Sequence, residues 1–210
     1  PEDPSDTVDP VDPSDPEIVA GTEGDDTITA EDDQVINAGD GDDVLGVDDA
    51  ADGAQINGDA GAAGLTDGGT NVTLNGGAGN DVFTGGGATG TVMDGGEGVD
   101  TFTLDGTGGT LVNAGNGDDV ITVAEGGANM TINGGGGEDV ITHDGSGGLI
   151  NGGAGEDAIT VTGEVDSVNG GAGDDTITAT AGENGGGSPI DGGMGDDVII
   201  LSDLAGAAST

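Results

Sequence analysis

The chain has 210 residues with 43 acidic side chains, no lysine, no arginine and one histidine, and its formal net charge is -43. Nucleic-acid binding and attraction to anionic membranes both need basic side chains, so the composition excludes them. The absence of cysteine excludes disulfides and thiol chemistry, and no apolar run is long enough to span a bilayer.

Residues 1–17 form a separate segment, with five of the six prolines and no apolar side chain larger than valine. Such an acidic, Pro-rich sequence favours an extended chain, so we expect an arm or linker that leads into a folded region. A solvated tail fits the same composition. Because the chain begins at Pro1 with no signal peptide, we expect it to be processed or to be a segment of a longer protein.

Ten copies of one motif follow over residues 18–200, and the copy at 74–84 reads LNGGAGNDVFT. We number the motif with Asn75 as position 0, so that Asp81 stands at position 6. Successive copies are 17 to 22 residues apart, and a period near 19 with one motif in each predicts a solenoid. We therefore predict an all-β fold, a right-handed parallel β-roll of about ten coils with two facing sheets, about 48 Å long.

The motif resembles the calcium-binding nonapeptide G-G-x-G-x-D-x-U-x of the repeat-in-toxin family. The usual pattern places two nonapeptides in each coil, whereas here the second half of each coil is a looser Gly-rich stretch such as 144–148. The resemblance therefore implies a calcium ladder along one edge only, as in the repeats of certain bacterial ice-binding adhesins. It assigns the role of side-chain ligand to position 6, which is aspartate in nine copies: Asp26, Asp43, Asp81, Asp100, Asp119, Asp139, Asp157, Asp175 and Asp197.

The residue types of the motif suit this chemistry. Calcium takes six to eight oxygen ligands, typically carboxylates and backbone carbonyls. We expect the glycines at positions 1, 2 and 4 to turn the backbone through positive φ and to aim its carbonyls inward. Successive coils are expected to share the ions, with roughly one Ca²⁺ per coil interface. Ala63 breaks the row of aspartates, and Asp59 of the same copy is an alternative ligand there.

Two apolar columns mark the predicted core. Position 8 and the residue before position 0 are apolar in every copy, and strand alternation turns both inward. About two large side chains per coil do not offset the ordering of 19 residues. High net charge with few apolar side chains is typical of disordered chains. We therefore predict a chain that is disordered without calcium and folded with it.

Two polar columns accompany the core. Position 0 is Asn or Asp in nine copies, which predicts a structural ladder of stacked amides. Thr and Val predominate at positions 7 and 9, which we expect to face outward on a flat sheet. Flat ranks of threonine resemble the ice-binding faces of β-helical antifreeze proteins. Threonine and valine are also good strand formers on any exposed sheet, and such a face suits lateral packing against another copy.

The C-terminal residues, the single histidine and the possibility of catalysis remain to be considered. Residues 201–210 are expected to cover the last coil only partly, which favours end-to-end stacking through exposed strand edges. His143 follows an outward threonine and is predicted to lie at the surface. No catalytic arrangement is recognisable in the motif, so we predict that the chain is not an enzyme.

Together these features predict a calcium-binding structural protein. The family resemblance implies type I secretion of an unfolded chain that folds outside a bacterial cell, where calcium reaches about 10⁻³ M. We expect an extracellular spacer, a surface-layer or matrix element, or a filament subunit that self-associates end to end or laterally. The alternative is an ice-binding or adhesin repeat module that uses the outward Thr/Val face. Calcium ions and other copies of the chain are the expected partners, with no nucleic acid and no membrane insertion.

Overall fold

The structure, a computed structural model, describes residues 16–85, 89–105, 108–163, 167–181 and 189–203. Over these residues it contains twenty strands and no helix, and each coil contributes one strand to each of two parallel sheets. The predicted fold class, an all-β parallel solenoid of about ten coils with a period near 19 residues, is confirmed.

The strands are three to nine residues long. The first ten, in chain order, are β1 (Ile18–Ala20), β2 (Thr27–Ala30), β3 (Val35–Asn37), β4 (Val44–Val47), β5 (Gln55–Asn57), β6 (Gly64–Thr66), β7 (Thr73–Ala78), β8 (Val82–Gly85), β9 (Val92–Glu97) and β10 (Thr101–Leu104). The second ten are β11 (Leu111–Asn116), β12 (Val120–Val123), β13 (Ala128–Gly136), β14 (Val140–His143), β15 (Ser146–Ala154), β16 (Ala158–Val161), β17 (Ser167–Ala172), β18 (Thr176–Ala181), β19 (Ile190–Met194) and β20 (Val198–Asp203).

The odd-numbered strands form the first sheet and the even-numbered strands form the second, each in coil order. Neighbouring strands are parallel and in register, so residues at one motif position stack on each other. In the second sheet, for example, Phe102 pairs with Phe83 on one side and Ile121 on the other. The two phenyl rings lie parallel with their centroids 4.4 Å apart. A column of the aligned motif therefore becomes a row of side chains along the solenoid.

The two apolar columns predicted from the motif form the centre of the core. Both are buried throughout the eight interior coils. The described residues place a neighbouring coil on only one side of the first and last coils. Burial is accordingly incomplete there, at Val19, Ile28, Ile190 and Ile199.

The core is thicker than the motif predicted. Strand alternation continues past position 8, so position 10 also points inward, and Leu104, Val123 and Val161 are buried there. Another inward column lies two residues before the apolar residue that precedes position 0. It includes the buried Val72 and Met130. The two predicted columns supply two large side chains per interior coil, and the further columns add to them in some coils because the second half of the coil also contributes to the core.

His143 belongs to this position-10 column and is fully buried, so the predicted surface location is wrong. Its neighbours in register are Val123 and Val161 of the adjacent coils. Neither ring nitrogen has a hydrogen-bond partner among the described residues. Loss of solvation lowers the pKa of His143 although the nearby Asp144 carboxylate opposes that change, so the buried ring is neutral at pH 7. The prediction overlooked that the residue after an outward threonine must point inward.

Replacing this histidine by leucine is expected to stabilise the solenoid. His143→Leu removes two buried nitrogens without partners and inserts a side chain that the same column already holds as Leu104. We expect a gain of about 1–2 kcal/mol in the free energy of unfolding, measured by urea titration in calcium. Thr142→Leu, one residue earlier and outward, is the matched control. A loss of stability in His143→Leu would contradict this prediction, because it would show that the imidazole nitrogens form hydrogen bonds in the folded protein.

The position-0 side chains form the predicted amide ladder in pairs of coils. Three bonds of 2.7–2.9 Å run from Nδ2 of Asn57, Asn133 and Asn169 to Oδ1 of Asn37, Asn113 and Asn151. Each bond joins equivalent amides of adjacent coils, half-buried on the first sheet. These contacts support the structural interpretation of the column.

The first described strand begins at Ile18, and β20 extends the described solenoid to Asp203. Three residues assigned to the C-terminal tail therefore belong to a strand, because the pairing of β18 with β20 continues past the motif. Of the predicted arm only Pro16 and Glu17 are described, and the rest of the tail, 204–210, lies outside the described residues.

Candidate metal centre

The nine position-6 aspartates form one interrupted row along the edge where each coil passes from the first sheet to the second. Each precedes an even-numbered strand, and alternation turns position 6 inward, position 7 outward and position 8 inward. Seven of the carboxylates are at most 2 % exposed: Asp43, Asp81, Asp100, Asp119, Asp139, Asp157 and Asp175. Asp26 and Asp197, in the terminal coils, are half-buried.

In every position-6 aspartate after Asp26, one carboxylate oxygen accepts a backbone N–H from the preceding coil. The Asp119 N–H donates to Asp139 Oδ1 at 2.9 Å, and the Asp100 N–H donates to Asp119 Oδ1 at 2.7 Å. Seven such aspartate-to-aspartate bonds of 2.7–3.0 Å run in the same direction along the row. The stacked coils thus hold the carboxylates in fixed positions.

The other oxygen has no partner. Oδ2 of all seven buried aspartates is covered and makes no hydrogen bond within the described residues. A Cβ atom built on Gly134 would overlap both Asp139 Oδ2 and the carbonyl oxygen of Gly152. A carboxylate oxygen and a carbonyl oxygen therefore face one small space, and neither has a hydrogen to donate. Only a proton or a cation satisfies that arrangement.

Most coils have glycine at position 1, where it leaves this space free of a side chain, and the backbone conformation there does not require it. Positive φ occurs at positions 2 and 4, as at Gly135 (117°) and Gly137 (137°), which confirms the prediction there. Position-1 glycines such as Gly134 do not have positive φ, so that part of the prediction is wrong. Alanine holds position 1 in two coils, as Ala38 and Ala114.

The turn itself is held by bonds between coils. The N–H of position 4 donates to the carbonyl of position 3 in the next coil, as from Gly137 to Ala154 at 2.9 Å. Outside the row of buried aspartates, exposed position-5 side chains accept backbone N–H groups, as Asp118 Oδ1 does from Glu138 at 2.9 Å. The buried row and this exposed row lie side by side, so neighbouring acids such as Asp118 and Asp119 have different environments.

Burial changes the acidity of the row. It raises the pKa of Asp119 to about 7 and the pKa of Asp81 and Asp157 to about 6. It also raises the pKa of Asp100 and Asp139. The backbone N–H donated to each carboxylate opposes the change in pKa, and the neighbouring negative charges add to it. The folded chain therefore binds protons at these five carboxyls more tightly than an unfolded chain does when no cation is bound.

Ala63 interrupts the row at the third coil. Its N–H still donates to Asp81 Oδ1 at 2.7 Å, but its methyl group lies where Asp43 would otherwise meet a carboxylate. Asp59 does not take that place, because its carboxylate is exposed and accepts the Gly39 N–H at 3.3 Å. The row is thus divided into two aspartates before the gap and seven after it.

The donor set fits a hard cation that accepts carbonyl ligands. The described residues contain no group of three or more Asp, Glu, His or Cys side chains placed to hold a metal ion. Each unbroken interface joins two carboxylates, so backbone carbonyls and water would supply the remaining oxygens. Calcium tolerates such mixed and irregular oxygen shells, whereas magnesium requires near-octahedral geometry.

The motif did not predict a buried carboxylate at the opposite edge of the solenoid. Asp67 occupies position 10 of its coil, where it accepts the Thr91 hydroxyl at 2.9 Å and the Gly69 N–H at 3.1 Å. Inward alternation from Leu65 would have identified it. These bonds satisfy both of its oxygens, so Asp67 is a structural residue.

Comparison with known proteins does not assign this chain to a family. Neither a scan against protein-family models nor a search of curated proteins finds a match for this chain. No helix of the described residues is long and apolar enough to cross a membrane.

Proposed function

We propose that the chain is a secreted calcium-binding structural repeat protein that folds when Ca²⁺ occupies the row of position-6 aspartates. The observation that carries this proposal is the set of seven buried Oδ2 atoms without partners. Buried carboxylates are normally paired with a base or a metal, and this chain has no lysine or arginine. A divalent cation shared between coils would neutralise the row and join adjacent coils.

Calcium is the cation that the site and the expected environment favour. Its oxygen shell accepts the carboxylates and turn carbonyls that lie together here. Extracellular calcium sites work at about 10⁻⁴–10⁻³ M, which would keep the chain unfolded inside a cell and fold it outside. The resemblance to repeat-in-toxin sequences supports the same order of events, with type I secretion and a final location outside a bacterial cell or on its surface.

The fold suits a mechanical role. Ten coils at about 4.8 Å each give a stiff body about 48 Å long. We propose that it serves as an extracellular spacer, as a surface-layer or matrix element, or as a filament subunit. We propose that this role is non-enzymatic.

Bound calcium, counted by equilibrium dialysis and elemental analysis, tests the proposal. We expect about seven ions per chain, one for each interface that joins two aspartates, and cooperative binding with folding. Asp118→Asn, on the exposed row, should leave the count unchanged. A count of zero or one at millimolar calcium would overturn the proposal.

Repairing the gap gives a second test of the same site. In Ala63→Asp the new carboxylate has the space that Gly58 leaves at position 1. We expect one or two further calcium ions, as counted by elemental analysis, and a higher thermal midpoint in calcium. Without calcium the variant should unfold at a lower pH than the unaltered chain does, because a further buried charge is added. Ala62→Asp is the exposed matched control, and equal effects of both variants in calcium would contradict the assignment.

The second candidate function is an ice-binding or adhesin repeat. The second sheet favours it, because position 9 is threonine in eight coils and these residues stack in register on the outer side. Thermal hysteresis measured in calcium buffer tests ice binding. Activity that Thr122→Val and Thr142→Val abolish together would support it, and an inactive protein at high concentration excludes it.

A further inference from the structure

The outer side of the second sheet is built from uncharged side chains. Its side chains come from positions 7 and 9 of all ten coils, which stack in two rows in register. The position-7 row is Thr27, Val44, Gly64, Val82, Thr101, Val120, Val140, Ala158, Thr176 and Val198. The position-9 row is Thr29, Gly46, Thr66, Thr84, Thr103, Thr122, Thr142, Thr160, Thr178 and Ile200. We call these two rows the neutral face.

The neutral face carries no charge in a chain with 43 acidic residues. Exposed acids lie along both of its long sides. Asp118 and Glu138 border the side next to the candidate metal centre, and Asp105 and Asp144 border the other. An uncharged centre within a charged rim is the composition of a protein interface.

The neutral face is also apolar enough to be costly in water. Six of its side chains are among the exposed large apolar residues of the described chain: Val44, Val82, Val120, Val140, Val198 and Ile200. Ten strands at about 4.8 Å, with three residues across at about 3.3 Å, give a footprint of about 500 Å². Two such faces bury about 1,000 Å², which reaches the lower limit of a specific interface.

We propose that the neutral face packs against the neutral face of a second copy of this chain. Two flat sheets pack face to face at about 10 Å when their side chains interdigitate. The position-7 row contains small residues between larger ones, as at Gly64 between Val44 and Val82, which provides hollows and ridges for that packing. A second copy also brings an equally uncharged centre, whereas any charged partner surface would lose solvation there.

The acidic borders of the neutral face make the association of two copies depend on cations. Two copies of charge -43 repel each other until cations gather along the acidic borders. Association should therefore be stronger in calcium than in the same ionic strength of sodium. The inference rests on the proposed function only for this cation dependence and for the folded state that presents the face.

Sedimentation velocity of the full chain in calcium tests the inference, with circular dichroism of the same samples as a check of folding. We expect a folded dimer for the unaltered chain and a folded monomer for Val140→Glu, which places charges in the contact. Leu149→Glu is the matched control, because Leu149 is 50 % exposed on the first sheet and Val140 is 45 % exposed on the neutral face. Leu149→Glu should remain a dimer.

Three other outcomes overturn the inference, and a fourth separates it from the proposed function. A folded monomer for the unaltered chain, with or without ice activity, removes the second copy as the occupant. A dimer or longer assembly that Val140→Glu leaves intact places the contact elsewhere. If Val140→Glu fails to fold, the milder pair Val120→Thr and Val140→Thr replaces it, and an unchanged dimer affinity in that variant overturns the inference. A dimer whose fold does not require calcium would uphold the neutral face while excluding the proposed calcium-dependent folding.

Discussion

In calcium-free buffer the chain is expected to fold at pH 5 and to unfold as the pH rises through 6 to 7. Five buried carboxyls of the row have a raised pKa, to about 6 for Asp81 and Asp157 and about 7 for Asp119. The folded state binds these protons more tightly than the unfolded state does. The stability they contribute is complete below the ordinary pKa of 3.8 and is lost as the pH rises through the raised values.

Protonation of His143 has the opposite effect on the stability of the folded chain, but it is one group against five. Its pKa is lowered by burial, so acid favours the unfolded state through this one residue. Five carboxyls against one imidazole leave a net gain on acidification, and the smaller net charge adds to it. Far-ultraviolet circular dichroism against pH measures the transition, and the same titration in calcium, expected to stay folded at neutral pH, is the control. A calcium-free chain that loses its sheet signal between pH 7 and pH 5 would contradict the expectation.

Asp119→Asn is expected to change stability in opposite directions with and without calcium. In calcium-free buffer at pH 8 the variant removes a buried charge and keeps an oxygen to accept the Asp100 N–H. A pKa near 7 instead of 3.8 means that the ionised carboxylate costs about 4 kcal/mol in the folded state at pH 8, and the substitution removes that cost. In calcium the variant lacks a carboxylate at two coil interfaces, so folding should need about tenfold more calcium or more.

Asp118→Asn is the control for this substitution. It removes the same charge one residue earlier, from an exposed side chain whose Oδ1 accepts a backbone N–H that asparagine also accepts. We expect changes of no more than about 0.5 kcal/mol under both conditions. The readouts are the pH midpoint of unfolding without calcium and the calcium midpoint of folding at pH 8. If Asp119→Asn and Asp118→Asn behave alike, the buried row does not control folding.

The repeat alone predicted most of the fold and the position of the candidate site. A motif of constant spacing requires equivalent residues to stack, and the register of Phe83 with Phe102 and of Asp100 with Asp119 follows from that requirement. The inward direction of position 8 follows from alternation along a short strand. Calcium itself stays a prediction, because no ligand assignment follows from stacking alone.

The features that the motif did not predict depend on residues outside it or on the packing of adjacent coils. The second half of each coil varies in sequence, so its contribution to the core through Val123 and Met130 was overlooked. The same omission placed His143 at the surface. The role of Gly134 was misjudged because a glycine required for space and one required for positive φ look alike in a sequence. Only the packed coils show that Asp139 Oδ2 needs that space.

Circular dichroism of the full chain at pH 8, with calcium at about 10⁻³ M and then with excess EGTA, tests the central claim most directly. The account predicts a β-sheet spectrum in calcium, its loss when EGTA is added, and its return when calcium is restored. A sheet spectrum that persists unchanged in excess EGTA at pH 8 would contradict calcium-dependent folding through the aspartate row.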